Sequence, residues 1–150
     1  MTNQNDPTEP SGKSAKEIRA LMAEKELEEA KRDMEKHGRA EKVAAEFKDY
    51  FMSSEVTEDD RQRIAAKIER LAEKGQTEMC VLTFPSDFCN DGGRAVNNLH
   101  TDWKSTLTGQ AAKIYDLWEQ VGKPLDFKLE ARVLNYPKGI IGDIGLFVKW

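Results

Sequence analysis

The chain has 150 residues, 39% hydrophobic and 33% charged, with 23 basic and 27 acidic side chains and a net charge of −4. That length holds one ordinary domain, or a smaller one with an appendage, and no stretch reaches the ~18 apolar residues of a membrane span. Two cysteines cannot build a disulfide framework, Met1–Asp6 has no basic or apolar leader, and no basic run exceeds two residues, so a cytoplasmic protein with neither membrane nor nucleic-acid partners is expected.

Residues 1–13 are polar, with two prolines and no large aliphatic side chain after Met1. Such a segment cannot bury enough surface to offset its ordering entropy and is expected to be disordered. Residues 14–52 contain no proline and are rich in Ala, Glu, Lys, Leu and Met, a strongly helical composition. Ser14 and Glu17 make a capping box. The apolar stripe runs Ile18, Leu21, Met22, then Leu27, Ala30, Met34. Lys25 and Glu28 interrupt the seam a coiled coil would need. A charged, solvated helical arm is predicted, bent or broken at His37-Gly38. Its denser final third (Val43, Ala44, Phe47, Phe51) must dock somewhere.

Thr57 caps the next helix, with Asp60 in the acidic third place. Ile64, Ala65, Ile68, Leu71 and Ala72 share one face, and Lys74-Gly75 is a stop signal. The period then changes from helical to alternating. Met79–Phe84 reads as a strand, with Cys80, Leu82 and Phe84 turned inward. An irregular stretch follows, residues 85–106. Residues 110–121 read as helix, closed by Gly122 and Pro124. Residues 125–133 alternate apolar with charged side chains, a strand with one wet face, and Ile144–Trp150 form a last strand.

The expected architecture is α+β: a charged helical arm, then a small three-stranded mixed sheet in the order β-α-β-β with helices on one face. The crossover makes the first two strands parallel. The last strand is the most apolar, which places it centrally. The divisions are 1–13 tail, 14–52 arm and 57–150 domain.

The chemistry-bearing segment is Phe84–Asn98. Gly92-Gly93 can expose successive backbone N–H groups, and Arg94 adds positive charge. Cys89, Asp91, Gly92, Gly93, Arg94 and His100 thus form a candidate ligand or anion site. Cys89 is a candidate thiol nucleophile, with His100 and Asp102 as base and orienter. The competing reading is structural: Asp91 caps a short helix, Arg94 pairs with a carboxylate, and Cys89 is a buried anchor. No metal site is expected, because Cys80, Cys89 and His100 lack ligand spacing. No cofactor and no catalytic residue is assigned.

Residues 77–150 resemble a recurring family of small bacterial proteins. The pattern here is FPSDFCNDGGRAVNN from Phe84, TLTGQA from Thr106, LDFKLEARVLNYP from Leu125 and the closing GDIGLFVKW. The resemblance implies a charged N-terminal helical arm before the domain, and it carries over no catalytic residue.

Two functions are expected from these residues. The first is a non-enzymatic regulatory or adaptor protein, acting on a protein partner or as a homodimer. The alternative is a small-ligand or anion-binding protein, or a thiol enzyme, using the Cys89–Arg94 loop. The partner surface would be Met79, Val81 and Phe147 on the sheet's outer face, covered by Val43, Phe47 and Phe51 of the arm.

Overall fold

The computed structural model describes residues 12–150. The expected disordered tail, residues 1–13, lies outside the described residues except for its last two. In chain order come α1 (Ala15–Ser53), α2 (Glu58–Glu73), β1 (Glu78–Pro85), α3 (Arg94–Asn97), α4 (Gly109–Leu117), β2 (Lys128–Val133) and β3 (Asp143–Lys149). Short 3-10 turns lie between several of them.

Ser14 Oγ accepts the Glu17 amide at 3.2 Å and starts α1. The helix continues through His37-Gly38, and His37 Nε2 lies 3.0 Å from Glu41 Oε1 across that turn. The expected break is therefore absent. A glycine costs a helix about 1 kcal/mol relative to Ala but, unlike proline, keeps its hydrogen-bond donor. Two compact units divide the chain, one ending at Glu46 and the other spanning Phe47–Trp150. In the first, every described residue is exposed. The second takes in the last turns of α1, which a boundary at residue 57 leaves out.

In the second unit, Thr57 and Asp60 form the full reciprocal box. Thr57 Oγ1 accepts the Asp60 amide at 3.2 Å, and Asp60 Oδ2 accepts the Thr57 amide at 3.0 Å. The sheet order is β1-β3-β2, with both ladders antiparallel. The α+β class and the central last strand are as expected, but the sheet is not mixed. β1 and β2 do run the same way, as a crossover requires, and β3 lies between them.

The inner face carries Met79, Leu82 and Phe84 from β1, Leu129, Ala131 and Val133 from β2, and Ile144, Leu146 and Val148 from β3. These residues oppose one another in the registers Met79–Val148–Leu129, Leu82–Leu146–Ala131 and Phe84–Ile144–Val133. Phe51, Phe84, Ile144 and Leu146 are fully buried. The Phe51 ring sits 4.8 Å from Phe88 and 5.5 Å from Phe84, centre to centre. Gly109, at φ +53°, opens α4 directly against it. A Cβ there would fall 2.6 Å from the Phe51 carbonyl oxygen. The last turns of α1, from Phe47, thus dock through Phe51 into the inner core, not over the outer face of the sheet.

One extra residue decides which face β1 presents. The register shifts between Cys80 and Leu82, leaving Val81 without a cross-strand partner. Such a bulge places two residues opposite one and breaks strict alternation. Met79 is therefore buried and Cys80 exposed, the reverse of the simple alternating expectation. Strand β2 starts at Lys128 rather than Leu125, because Asp126 adopts φ +70° after a 3-10 turn at Lys123–Leu125.

Candidate functional site

The loop after β1 is ordered by its own polar groups. Buried Ser86 donates from Oγ to the Ile141 carbonyl at 3.0 Å and from its amide to the Gly142 carbonyl at 2.9 Å. Thr108 Oγ1 donates to the Phe88 carbonyl, and Tyr136 donates its hydroxyl to Asn97 Oδ1 at 2.6 Å. Gly92 and Gly93 take φ of +69° and +85°. At Gly93 a Cβ would come within 2.9 Å of Ile144 Cδ1, so glycine serves both a left-handed turn and close packing.

The carboxylate of Asp91 fills the nest these glycines make. Its Oδ1 accepts the Gly93 amide at 2.9 Å and its Oδ2 accepts the Ala95 amide at 2.8 Å. The Gly93 N–H thus already holds an internal carboxylate, and the Gly92 N–H donates to the Cys89 carbonyl at 3.2 Å. Arg94 and His100 are exposed, and Arg94 makes no ion pair among the described residues. Cys89 is buried. Burial pushes its thiol up to about 11, Asp91 adds to the rise, and a hydrogen bond with Thr106 opposes it. A nucleophilic thiol needs the opposite shift. The residues proposed from sequence share one loop, but their reactive groups do not converge on a common cavity. Asp91 is the cap that the competing reading expected; among the described residues Arg94 has no carboxylate partner.

The outer face of the sheet is closed by charge. Arg132 lays its guanidinium over Phe147, 4.2 Å from the ring centre. It also donates to both carboxylate oxygens of Glu78, at 3.1 Å from Nη1, and to Glu130 at 3.1 Å. Lys149 Nζ adds a contact to Glu130 at 3.4 Å. The Arg132 hydrogen bond holds the Glu78 carboxyl below the usual range, and does the same for Glu130. Met79 is buried, the bulge turns Val81 away from this face, and Phe147 lies beneath a cation. The expected apolar partner patch is therefore not present. Of the arm residues assigned to it, Phe51 is core, while Val43 is 64% and Phe47 45% exposed.

An apolar groove open to solvent lies beside α2. It holds about 260 Å³ and is walled by Ile64, Ala65 and Ile68 of α2, with Val81 and Val148 of the sheet as floor. Ile114, Leu117, Trp118, Val121, Leu125 and Phe127 form the far wall, and Arg61 and Glu69 stand at it from α2. A separate, more polar pocket of about 230 Å³ lies on the other side of Ile64, Val81 and Ile114, which also line it, and includes Tyr50, Glu55, Asp60, Arg63 and Gln110. The π-helical turn Trp118–Gly122 shapes the far wall. Trp118 Nε1 donates to the Phe127 carbonyl at 2.8 Å, and a Cβ at Gly122 would come 2.8 Å from Trp118 Cδ1. No residue of α2 is fully buried. The sequence held only an indirect signal for this groove: Ala65 is a small residue between Ile64 and Ile68 on the face α2 turns to the core.

Among the described residues, no group of three or more His, Cys, Asp or Glu side chains is placed to hold a metal ion. No described helix is long and apolar enough to cross a membrane. No protein-family model, no curated protein and no solved structure matches the chain.

Proposed function

We propose that this chain is a non-enzymatic, cytoplasmic regulatory or adaptor protein that works by binding another protein. The observation that carries this reading is α1. From Ala15 to Tyr50 it is exposed throughout, and it presents Ile18, Leu21, Met22, Leu27 and Met34 to solvent amid dense alternating charge. A helix of that length with no buried face gains little from its own packing. A partner helix or groove can take those side chains at i, i+3 and i+4 spacing. The loop reading is weaker because the Asp91 carboxylate occupies the backbone N–H groups and the Cys89 thiol stays protonated.

The test is cross-linking in cells with the full chain and with residues 15–46 deleted, followed by titration of the purified partner. The reading expects one partner whose binding is lost on deletion and weakened by Leu27→Glu. Equal recovery with and without the arm would count against it. Sedimentation of the pure chain distinguishes a second copy from a different protein.

A further inference from the structure

We infer that α1 pairs with α1 of a second copy of this chain, as a short parallel coiled coil along Ala20, Ala23, Leu27, Ala30 and Met34. This rests on the reading of α1 as a protein-binding helix and names the partner of that helix.

The five residues alternate spacings of three and four, the a and d positions of a heptad. At about 3.6 residues per turn, Leu27 lies on the opposite side of the helix from Ile18. This seam is therefore distinct from the one that Lys25 and Glu28 interrupt. All five residues are exposed, Leu27 at 57% and Met34 at 75%. They lie in the unit that ends at Glu46, where no described side chain is buried. An apolar stripe confined to a and d has the width of a coiled-coil seam and is narrower than the face a helix turns to a globular core.

Charge identifies the occupant as a second copy and sets its direction. In a parallel pair each g position faces the e position five residues on in the other helix. The charged pairs are then Arg19 with Glu24 and Glu26 with Lys31. Both are opposite in sign, and two-fold symmetry makes each of them twice. An antiparallel pair keeps the contact of Glu24 with Lys31 but sets Glu26 against Asp33. On the Ile18 side of α1, parallel pairing would stack Lys25, Glu29, Arg32 and Lys36 each on its own copy. Only the Leu27 side is complementary to itself.

The experiment is sedimentation equilibrium of the full chain. A reversible dimer is expected, with a dissociation constant on the order of 100 µM, because a short seam gains little over the cost of association. Glu26→Lys turns two attractive contacts into repulsive ones and should weaken the dimer about tenfold. Lys31→Glu should do the same, and the double variant should recover the parent's affinity, with circular dichroism showing that α1 stays helical in each. Direction is read by mild oxidation in a Cys80→Ser background. Ala20→Cys should link copy to copy, since only parallel pairing in register brings residue 20 of both chains together, and Ile18→Cys should not. A dimer that fails to link through Ala20→Cys, or that is not restored by the double charge exchange, overturns the assignment. A chain that stays monomeric at about ten times the expected dissociation constant also overturns it; if such a chain still recovers a different protein through residues 15–46, the reading of α1 as a protein-binding helix stands without this partner. A dimer unchanged by deleting residues 15–46 overturns the assignment as well.

Discussion

Phe51 lies within α1, a helix that is otherwise exposed, and yet it should be one of the most costly residues to remove. Its side chain is fully buried against Phe84 and Phe88, and Gly109 packs directly on it. Phe→Ala at such a site costs about 3–5 kcal/mol, the lost transfer energy plus the cavity left behind. Against a total stability of about 5–15 kcal/mol for a unit of this size, that is a fifth or more. At about 4–8 °C per kcal/mol, the midpoint should fall by more than ~12 °C. Urea unfolding followed by tryptophan fluorescence isolates the effect, because Trp103, Trp118 and Trp150 all lie outside α1. Phe47→Ala should cost only about 1 kcal/mol, its ring being 45% exposed and 5.8 Å from Phe88. A Phe51→Ala protein within ~1 kcal/mol of the parent, or a fragment of residues 57–150 as stable as one of residues 47–150, would refute the placement of Phe51 in the core.

The two cysteines should react in separate phases. At pH 8 a disulfide reagent should modify exposed Cys80 within minutes, and Cys89, pushed up to about 11 by burial, only on unfolding. Gly109→Ala should destabilise by roughly 1–3 kcal/mol, because φ +53° strains an L-residue and the Cβ meets the Phe51 carbonyl. Gly38→Ala should instead raise the helicity of α1 and leave the urea midpoint unchanged. Asp91→Ala strands the Gly93 and Ala95 amides and should cost about 1–3 kcal/mol. The Arg132 network sets a pH window. Glu78 and Glu130 have carboxyls lowered in the folded state, so their contribution is complete above the ordinary unfolded value of about 4.3. It is lost as pH falls through the lowered folded values. Arg132→Met should therefore lower the urea midpoint at pH 7, with the gap to the parent closing toward pH 3; a gap independent of pH would argue against the ion pairs.

Local signals in the sequence determined the elements. Thr57 and Asp60 make the box their spacing announces, and the alternation from Lys128 to Val133 makes a strand with one charged face. The central place of β3 also follows from composition, since a strand flanked on both sides and covered by core must be apolar on most of its length. Asp91, three positions before the first residue of α3 with two glycines between, was legible as a cap. The anion reading lost support because sequence shows which N–H groups can be exposed, not which carboxylate reaches them first.

Tertiary structure alone decided the faces and the groove. Alternation in a strand assigns side chains to two sides only up to the next irregularity, and the single unpaired residue Val81 exchanges the sides of Met79 and Cys80 relative to Leu82 and Phe84. Cross-strand placement brings Arg132 of β2 over Phe147 of β3 to reach Glu78 of β1, a contact spanning residues far apart in the chain. The groove is lined by residues from α2, β1, α4 and β3 that lie far apart in the chain, so no local pattern of residues encodes it.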